Sequence, residues 1–322
     1  MITIEVSDES DKNWNSRLLE SGFGTIYQTK EMKVNFENHK FNPKFLKFTN
    51  EQGDVVGQLL HYETSRFGKG IKGKILSTTY KKLLCKWSYG PIVFDPNYSN
   101  EIYQKLGNYL IENKYIVLGT EHPFSPSGIS SLKEKFNLKK WSTFLIDLNN
   151  SIDSLYENID KHNGRKNIER SIKRGITVEE INETSLIDYH LLLSGMLKNE
   201  KRRSALIEFE ELLSWWKLFK PLGYSGFLAK KDNIAIGGLL FSFFNKHIIE
   251  GLVARSEIDY EKKFYSQDLI KWKIIEWGVK NKMNYYNLAG FNPYPESEKE
   301  KGIFNYKKKW GGKKTDYWII RK

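Results

Sequence analysis

The sequence predicts an α/β (α+β) protein built from two consecutive domains of the same kind, each a mixed central sheet flanked by helices. Three observations support this prediction. The chain has 322 residues, a length that suits two domains of ordinary size. A predicted β-hairpin occurs twice along the chain. Each copy of the hairpin is later followed by a helix and a further strand, which is the element order of an α/β unit.

The two predicted hairpins have the same layout. The first covers Phe45–Leu60 and the second covers Phe227–Leu240, and in each a polar turn separates two apolar runs. Gly57 and Gly237 occupy equivalent places in the second strand of each hairpin, 180 residues apart. This correspondence is the first sign of an internal repeat.

A helix, an Asn-Lys pair and a strand form the second repeated feature. They occur in Asn108–Gly119 and again in Glu276–Gly290. Four matched elements in the same order favour two copies of one domain over a chance similarity of short hairpins.

The boundary between the copies is predicted near residue 150, where no linker rich in proline, glycine or serine marks it. A strand at Ser142–Leu148 gives way to a helix that Asn150 or Ser151 could cap. The predicted domains are therefore 1–149 and 150–322. The remaining predicted elements are helices within Arg165–Gly175, Thr184–Arg203 and Glu208–Phe219 and a closing strand at Thr315–Lys322.

Composition limits the classes of function. The net charge of +12 favours polyanionic partners such as RNA, nucleotide-linked substrates or an anionic membrane face, and solubility alone is the alternative. No apolar run is long enough to span a bilayer, and the first residues lack the pattern of a signal peptide. The single cysteine, Cys85, excludes an internal disulfide and is expected to be a core thiol. These features predict a cytoplasmic protein.

Several catalytic classes have little support in the sequence. The six histidines show no metal-ligand spacing, so no metal is expected. No cofactor is expected either. The spacing of a phosphate-binding loop occurs at Gly68, Gly73 and Lys74, but Ile75 stands where that loop needs a hydroxyl residue. Arg66–Ile75 is therefore predicted to be a basic surface loop.

The predicted helix in Arg165–Gly175 combines an apolar face with a basic stripe. Ile168 and Ile172 share one face at helical spacing. Four cations form the adjoining stripe: Lys166, Arg170, Lys173 and Arg174. Such a stripe suits a phosphate or diphosphate group. A solvated helix face remains the alternative from composition alone.

Three consecutive lysines near the C-terminus differ in their predicted environments. A helix over Ile303–Trp310, ended by Gly311-Gly312, has an apolar arc formed by Ile303, Tyr306 and Trp310. Lys307 falls inside this arc, Lys308 lies at its edge and Lys309 points away. A lysine among aromatic side chains either extends its ammonium to the surface or meets an anion in a cleft.

These segments together resemble the FemABX peptidyltransferases within the GNAT-like superfamily. The matching segments are Tyr89–Val93, Arg165–Glu179, Ala235–Phe243, Lys273–Gly290 and Gly302–Gly312. The last resembles the family signature G-[IL]-x-x-[FY]-K-x-x-[FW]-G-G. The resemblance implies two tandem GNAT-like (acyl-CoA N-acyltransferase-like) domains, with the reaction in the second. The long helical arm of some family members is absent, so the compact branch is the better match.

The resemblance also implies a reaction and its residues. The reaction is transfer of an aminoacyl group from aminoacyl-tRNA to an amine of a UDP-linked or lipid-linked muramyl peptide. Lys307 matches the family lysine proposed to stabilise negative charge on the ester carbonyl. The implied substrate-binding residues are Arg165, Lys166, Arg170, Lys173, Tyr306 and Tyr89. A monomer is expected, with peripheral contact with the inner face of the membrane as a further expectation.

Two other functions remain open at this stage. One is a GNAT-like N-acyltransferase that uses acyl-CoA on a sugar, a polysaccharide precursor or an amino-acid amine. Ala254–Leu269, where a pyrophosphate loop would lie, contains no glycine, which counts against a standard CoA site. The other is a non-enzymatic RNA-binding protein, which would need aromatic and basic residues on an exposed sheet.

Overall fold

The computed structural model describes residues 1–65 and 83–322, and the predicted basic loop at 66–75 lies outside them. The chain forms two compact units. The first contains Met1–Ser142 together with Thr315–Lys322, and the second contains Thr143–Lys314. The division thus falls seven residues before the predicted boundary of 149, and the C-terminal strand lies in the first unit.

The elements begin with those of the first unit. They are β1 (Thr3–Ser7), α1 (Trp14–Glu20), α2 (Met32–Asn38), β2 (Asn42–Thr49), β3 (Val55–Ser65), β4 (Leu83–Trp87), β5 (Ile92–Val93), α3 (Ser99–Glu112) and β6 (Ile116–Thr120). Strand β7 (Asn137–Asp147) contains the point where the units divide. Helix α4 (Ile152–Asn158) then opens at Ser151, whose hydroxyl accepts a hydrogen bond from the Ser154 N–H at 3.2 Å.

The second unit continues with a π-helical turn at Lys161–Arg165. It is followed by α5 (Lys166–Lys173), β8 (Thr177–Glu180), α6 (Leu186–Asn199), α7 (Phe209–Gly223), β9 (Tyr224–Lys231), β10 (Ile234–Phe244), β11 (His247–Arg255), α8 (Glu257–Glu261), α9 (Ser266–Lys280), β12 (Tyr285–Asn287) and α10 (Glu298–Lys308). Strand β13 (Lys313–Arg321) closes the chain. None of the helices in the described part of the chain is long and apolar enough to cross a membrane.

Both predicted hairpins are present, and their equivalence holds in detail. Strands β2 and β3 pair antiparallel with Gly57 opposite Phe48, and β9 and β10 pair antiparallel with Gly237 opposite Ala229. In each unit a third antiparallel strand follows, then a helix, then a strand parallel to that third strand: β4 with β6, and β11 with β12. A parallel neighbour requires a crossover connection, which α3 and α9 provide. The predicted repeat of one α/β unit is therefore confirmed.

Each unit has its own series of strands and its own core. The strand order is β1-β2-β3-β4-β6-β13 in the first unit, with β5 on β3, and β7-β12-β11-β10-β9-β8 in the second. The first core contains Phe48, Tyr103 and Cys85, so the cysteine is a core thiol as predicted. The second core contains Phe241 and Trp310.

The pairing of β11 with β12 is short, and this determines where a site can form. It covers three residues on each strand and ends at Ile249 opposite Asn287. Glu250 is the first residue of β11 beyond this pairing. On the other strand the chain turns at Ala289, which has a left-handed backbone with φ of 59°. Side chains from α9 and α10 approach β11 and β12 at this point.

Replacement of Gly237 by alanine should destabilise the second unit. An added Cβ would lie 2.3 Å from Ser266 Oγ and 2.9 Å from its Cβ, at the start of α9. We expect a loss of roughly 1–3 kcal/mol in the free energy of unfolding, measured by urea denaturation. Gly195→Ala in α6 is the control, because a Cβ added there would meet no neighbouring atom within 4 Å. There alanine should stabilise by about 0.4–1 kcal/mol. Equal effects at both positions would contradict this packing.

Candidate active site in the second unit

Helix α10 carries the three consecutive lysines. It begins five residues earlier than predicted, because Ser297 and Glu300 form a capping box that starts the helix at Glu298. It ends at Lys308, and Gly311 follows with a φ of 74° that favours glycine. Ile303 is 39% exposed, so its predicted place in the apolar arc is wrong, whereas Trp310 is 1% exposed.

Lys307 is buried at the end of α10, as its helical position indicates, with 9% of its surface exposed. Its ammonium donates hydrogen bonds to the carbonyl oxygens of Ala289, at 3.0 Å, and Gly290, at 3.1 Å. Both carbonyls belong to the turn that follows β12. Burial lowers the pKa of Lys307 to about 8; the negative charge of Glu250 opposes this shift and the positive charge of Lys271 adds to it. Lys307 is therefore fixed in position and loses its proton at a lower pH than an exposed lysine does.

A second buried lysine lies near Lys307. Lys271, on α9, is 1% exposed and forms an ion pair with Glu250 of β11. The Tyr286 hydroxyl donates to Glu250 Oε2 at 3.2 Å, and Lys271 Nζ lies 5.4 Å from the ring centroid of Tyr306. This pair was not predicted from the sequence. The available signal was a lysine inside the apolar run of α9 and a glutamate inside the apolar run of β11, where charges are rarely buried unless paired.

Lys309 corrects a prediction. It does not point to solvent: its side chain is 10% exposed and forms an ion pair with Asp268 of α9. Its Nζ lies 4.2 Å from the ring centroid of Tyr306, and its carbonyl accepts a hydrogen bond from the Asp160 N–H at 2.7 Å. Helical geometry correctly predicts that Lys309 and Lys307 lie on different faces of α10. The face that carries Lys309 is also buried, because Asp268 and Asp160 contact it from elements that are distant in sequence.

Burial affects both members of the pair of Lys309 and Asp268. Burial raises the pKa of Asp268 although Lys309 opposes the shift, and burial lowers the pKa of Lys309 although Asp268 opposes it. The desolvation of both charges thus outweighs their attraction. Asn167 of α5 supplies one further hydrogen bond, from Nδ2 to Asp268 Oδ2 at 3.2 Å. Perturbed pKa values such as these cluster at functional sites.

The basic segment around α5 is only partly available for a ligand. Lys166, Arg170 and Lys173 are exposed and Arg165 is half-buried. Arg174 instead donates to the carbonyls of Lys262, at 2.8 Å, and Lys263, so it fixes the chain after α8.

The predicted apolar face of α5 is partly wrong. Ile168 is 1% exposed, but Ile172 is 57% exposed. The buried face is instead completed by Asn167 and Ser171, and Asn167 donates to Asp268 at the start of α9. This face lies slightly further round the helix than the pattern of apolar residues indicates.

A polar groove of about 640 Å³ lies beside α10. Its lining includes Asn158, Asn163, Asn167, Asn305, Tyr306 and Lys309. The Tyr306 hydroxyl is buried without a hydrogen-bond partner among the described residues, and burial raises the pKa of Tyr306 well above its usual range. The groove thus brings Tyr306 together with the segment that carries the basic stripe.

The remaining predicted residue, Tyr89, lies in the first unit. It is half-buried, with its ring centroid 5.5 Å from that of Tyr27 and 6.0 Å from that of His122. Within residues 1–65 and 83–322, no group of three or more His, Cys, Asp or Glu side chains could hold a metal ion.

Comparison with known proteins identifies the fold. No protein-family model matches the chain, and no curated protein matches it significantly. Among solved structures, FemX has a TM-score of 0.72 at 14% identity, over 98% of this chain and 96% of that one. A tandem GNAT protein from the clavulanic acid biosynthesis pathway has a TM-score of 0.57 at 8% identity, over 99% and 97%.

A third similar structure is the C-terminal domain of a putative lysylphosphatidylglycerol synthetase from Agrobacterium fabrum. Its TM-score is 0.56 at 12% identity, over 95% of this chain and 92% of that one. At such identities the similarity concerns the fold. The chain has a tandem GNAT-like α/β fold, and the fold class predicted from the sequence is confirmed.

Removal of the Lys309 ammonium should destabilise the protein. Lys309→Met leaves Asp268 buried without its cation, so we expect a loss of about 3–5 kcal/mol in the free energy of unfolding at neutral pH. The loss should shrink as the pH falls, because a protonated Asp268 needs no cation. Lys308→Met is the control: Lys308 is exposed, and its change should stay within about 0.5 kcal/mol. A Lys309→Met protein as stable as the control would contradict the ion pair.

Proposed function

We propose that the protein is an acyltransferase that moves an aminoacyl group from aminoacyl-tRNA to an amine of a muramyl-peptide precursor. The observation that carries this proposal is Lys307, a buried lysine whose amine is fixed by two carbonyls just after β12 in a GNAT-like unit. The sequence signature of the FemABX peptidyltransferases selects the same residue. The fold similarity to FemX and to a putative lysylphosphatidylglycerol synthetase domain is consistent with it.

The chemistry follows from the position of the charge. When an amine attacks an ester carbonyl, negative charge develops on the carbonyl oxygen, and a fixed cation there stabilises the transition state more than the ground state. The two carbonyl contacts hold Lys307 Nζ in place before the substrate arrives. Burial strengthens the interaction, because little water screens it. Lys307 is proposed as the catalytic residue.

The start of α9 bears on the choice of donor. An acyl-CoA pyrophosphate would need free N–H groups at a helix N-terminus. Here the Ser266 N–H donates to Asp259 Oδ1 at 3.0 Å, and Asp259 is fully buried and paired with Arg255. A carboxylate of the protein thus already accepts a hydrogen bond from this N–H, which is not available to a diphosphate. This arrangement favours aminoacyl-tRNA as the donor.

The acceptor is proposed to carry a diphosphate, either UDP-linked or lipid-linked. The exposed cations Lys166, Arg170 and Lys173 would bind it, with Arg165, Tyr306 and Tyr89 as further substrate-binding residues. The exposed lysines are well suited to a phosphate because they do not have to give up a buried partner. With a nucleotide-linked acceptor and a tRNA donor, the reaction belongs in the cytoplasm. A lipid-linked acceptor would add peripheral membrane contact.

The donor can be tested by label transfer. Purified protein is incubated with a UDP-muramyl-peptide and either radiolabelled aminoacyl-tRNA or radiolabelled acyl-CoA. We expect label in the peptide only with aminoacyl-tRNA, because Asp259 already accepts from an N–H that an acyl-CoA diphosphate would need. Transfer from acyl-CoA alone would overturn the proposed donor while leaving an acyltransferase in place.

Lys307→Met tests the catalytic role. The variant should lower kcat by roughly 10²–10³-fold, the usual effect of removing one group that stabilises an oxyanion. The affinity for the acceptor, measured by calorimetry, should change little, because the acceptor's phosphates are bound elsewhere. Lys299→Met is the matched control, since Lys299 is exposed on the same helix. Near wild-type turnover of Lys307→Met would show that Lys307 is not catalytic.

A further inference from the structure

The hydrogen bonds of Lys307 leave one direction of its amine free. A lysine Nζ has four tetrahedral positions, and one is taken by its own carbon. Two N–H groups are directed at Ala289 O and Gly290 O. These are the acceptors that the described residues provide. The fourth position therefore holds either a third N–H or, when the amine is neutral, the lone pair. The two carbonyls fix this direction in both protonation states.

The charges around Lys307 are unequal in number. Strand β11 contributes Glu250, which forms an ion pair with Lys271 of α9. Helix α9 also contributes Asp268, which forms an ion pair with Lys309. The other titratable groups nearby are Tyr286 of β12 and Tyr306 of α10, with buried hydroxyls, and Lys308, which is exposed. The one buried carboxylate of Glu250 therefore interacts electrostatically with two buried lysines, Lys271 and Lys307.

A buried cluster with two cations and one anion releases a proton easily. The direct ion pair between Lys271 and Glu250 stabilises the charge of Lys271. Lys307 has only neutral carbonyls as hydrogen-bond partners among the described residues. Lys307 is therefore the member of the cluster that can become neutral.

We propose that Lys307 carries a proton from the attacking amine to the leaving oxygen, and that Glu250 and Lys271 are positioning residues that set its protonation state. The proposal rests on the proposed function, since it concerns the same reaction. The lowering of the pKa of Lys307 to about 8 agrees with it, because a proton carrier works best near the operating pH.

The proton transfers balance without another reactant. As the acceptor nitrogen bonds to the ester carbon, the carbonyl electron pair moves to oxygen and the lone pair of Lys307 takes a proton from that nitrogen. Lys307 is now an ammonium beside the oxyanion that it stabilises. The carbonyl then reforms, the ester C–O bond breaks, and the leaving ribose oxygen takes the proton from Lys307. An ester and an amine have become an amide and an alcohol, and Lys307 is neutral again.

The pH dependence distinguishes this role from that of a permanent cation. If Lys307 starts neutral, kcat/KM should rise with pH through about 8 and then level, since kcat/KM reports the free enzyme. If Lys307 instead had to be charged from the start, it would lose its proton over the same range, and kcat/KM would fall. The profile is measured from about pH 6 to about pH 9 with aminoacyl-tRNA at a fixed concentration of the neutral acceptor amine, corrected for spontaneous ester hydrolysis.

Two variants should shift the rising limb, the part of the pH profile in which kcat/KM increases, in opposite directions. Glu250→Gln removes an anion that favours the ammonium, so the limb should move to lower pH. Lys271→Met removes a cation that disfavours it, so the limb should move to higher pH. The titration of the acceptor amine is common to all variants, so a shift between them belongs to the enzyme. A merely structural pair would not produce shifts of opposite sign.

A measurement independent of turnover completes the test. In protein labelled with ¹⁵N-lysine, the Nζ resonance of Lys307 is assigned by its loss in Lys307→Met and then titrated. The same opposite shifts are expected in the two variants. If the single variants do not fold, Glu250→Gln/Lys271→Met removes both charges together and should return the titration toward that of the wild type.

The outcomes separate the two proposals. A Lys307 resonance that titrates unchanged in the variants, or a wild-type profile that falls through about pH 8, would overturn the proton-carrying role. Absence of transfer from every donor, with the NMR shifts as expected, would overturn the proposed function and leave the protonation control intact.

Discussion

The buried ion pair of Glu250 and Lys271 is the interaction on which the site depends. Glu250 stands just past the short pairing of β11 with β12, and Lys271 reaches it from α9. Neither charge could remain in the core alone, because an unpaired buried charge costs several kcal/mol. The pair therefore fixes α9 against β11. It also defines the electrostatic environment of Lys307, the one cation of this cluster that bonds only to backbone carbonyls among the described residues.

A similar arrangement occurs on the other face of α10. Lys309 pairs with Asp268, and the ring of Tyr306 lies between the two lysine-containing pairs, 4.2 Å from Lys309 Nζ and 5.4 Å from Lys271 Nζ. The end of α10 thus presents buried cations on both sides of one aromatic residue. Because such pairs return little stability, their presence together at the end of α10 is better explained by function.

The fold could be predicted from the sequence because its signals are local. Alternating apolar runs, a turn and a following helix identify each hairpin and crossover, and the repeat of these signals identifies two units. The inward position of Lys307 follows from helical geometry, which needs no knowledge of the rest of the chain. The partners of Lys309 and Lys271 could not be predicted in this way, since Asp268 and Glu250 lie on other elements. The membership of β13 in the first unit likewise depends on its pairing with β6.

The fold alone does not decide the reaction, since GNAT-like units serve several kinds of acyl transfer. The central claim is that the ester carbonyl of an aminoacyl donor binds next to the amine of Lys307. Affinity labelling tests this claim most directly. An aminoacyl-tRNA analogue with an amine-reactive electrophile at the ester carbonyl is incubated with the protein, and the modified peptide is identified by mass spectrometry. We predict modification of Lys307, reduced by competing aminoacyl-tRNA. Specific modification of another lysine, with Lys307 unmodified, would contradict this claim.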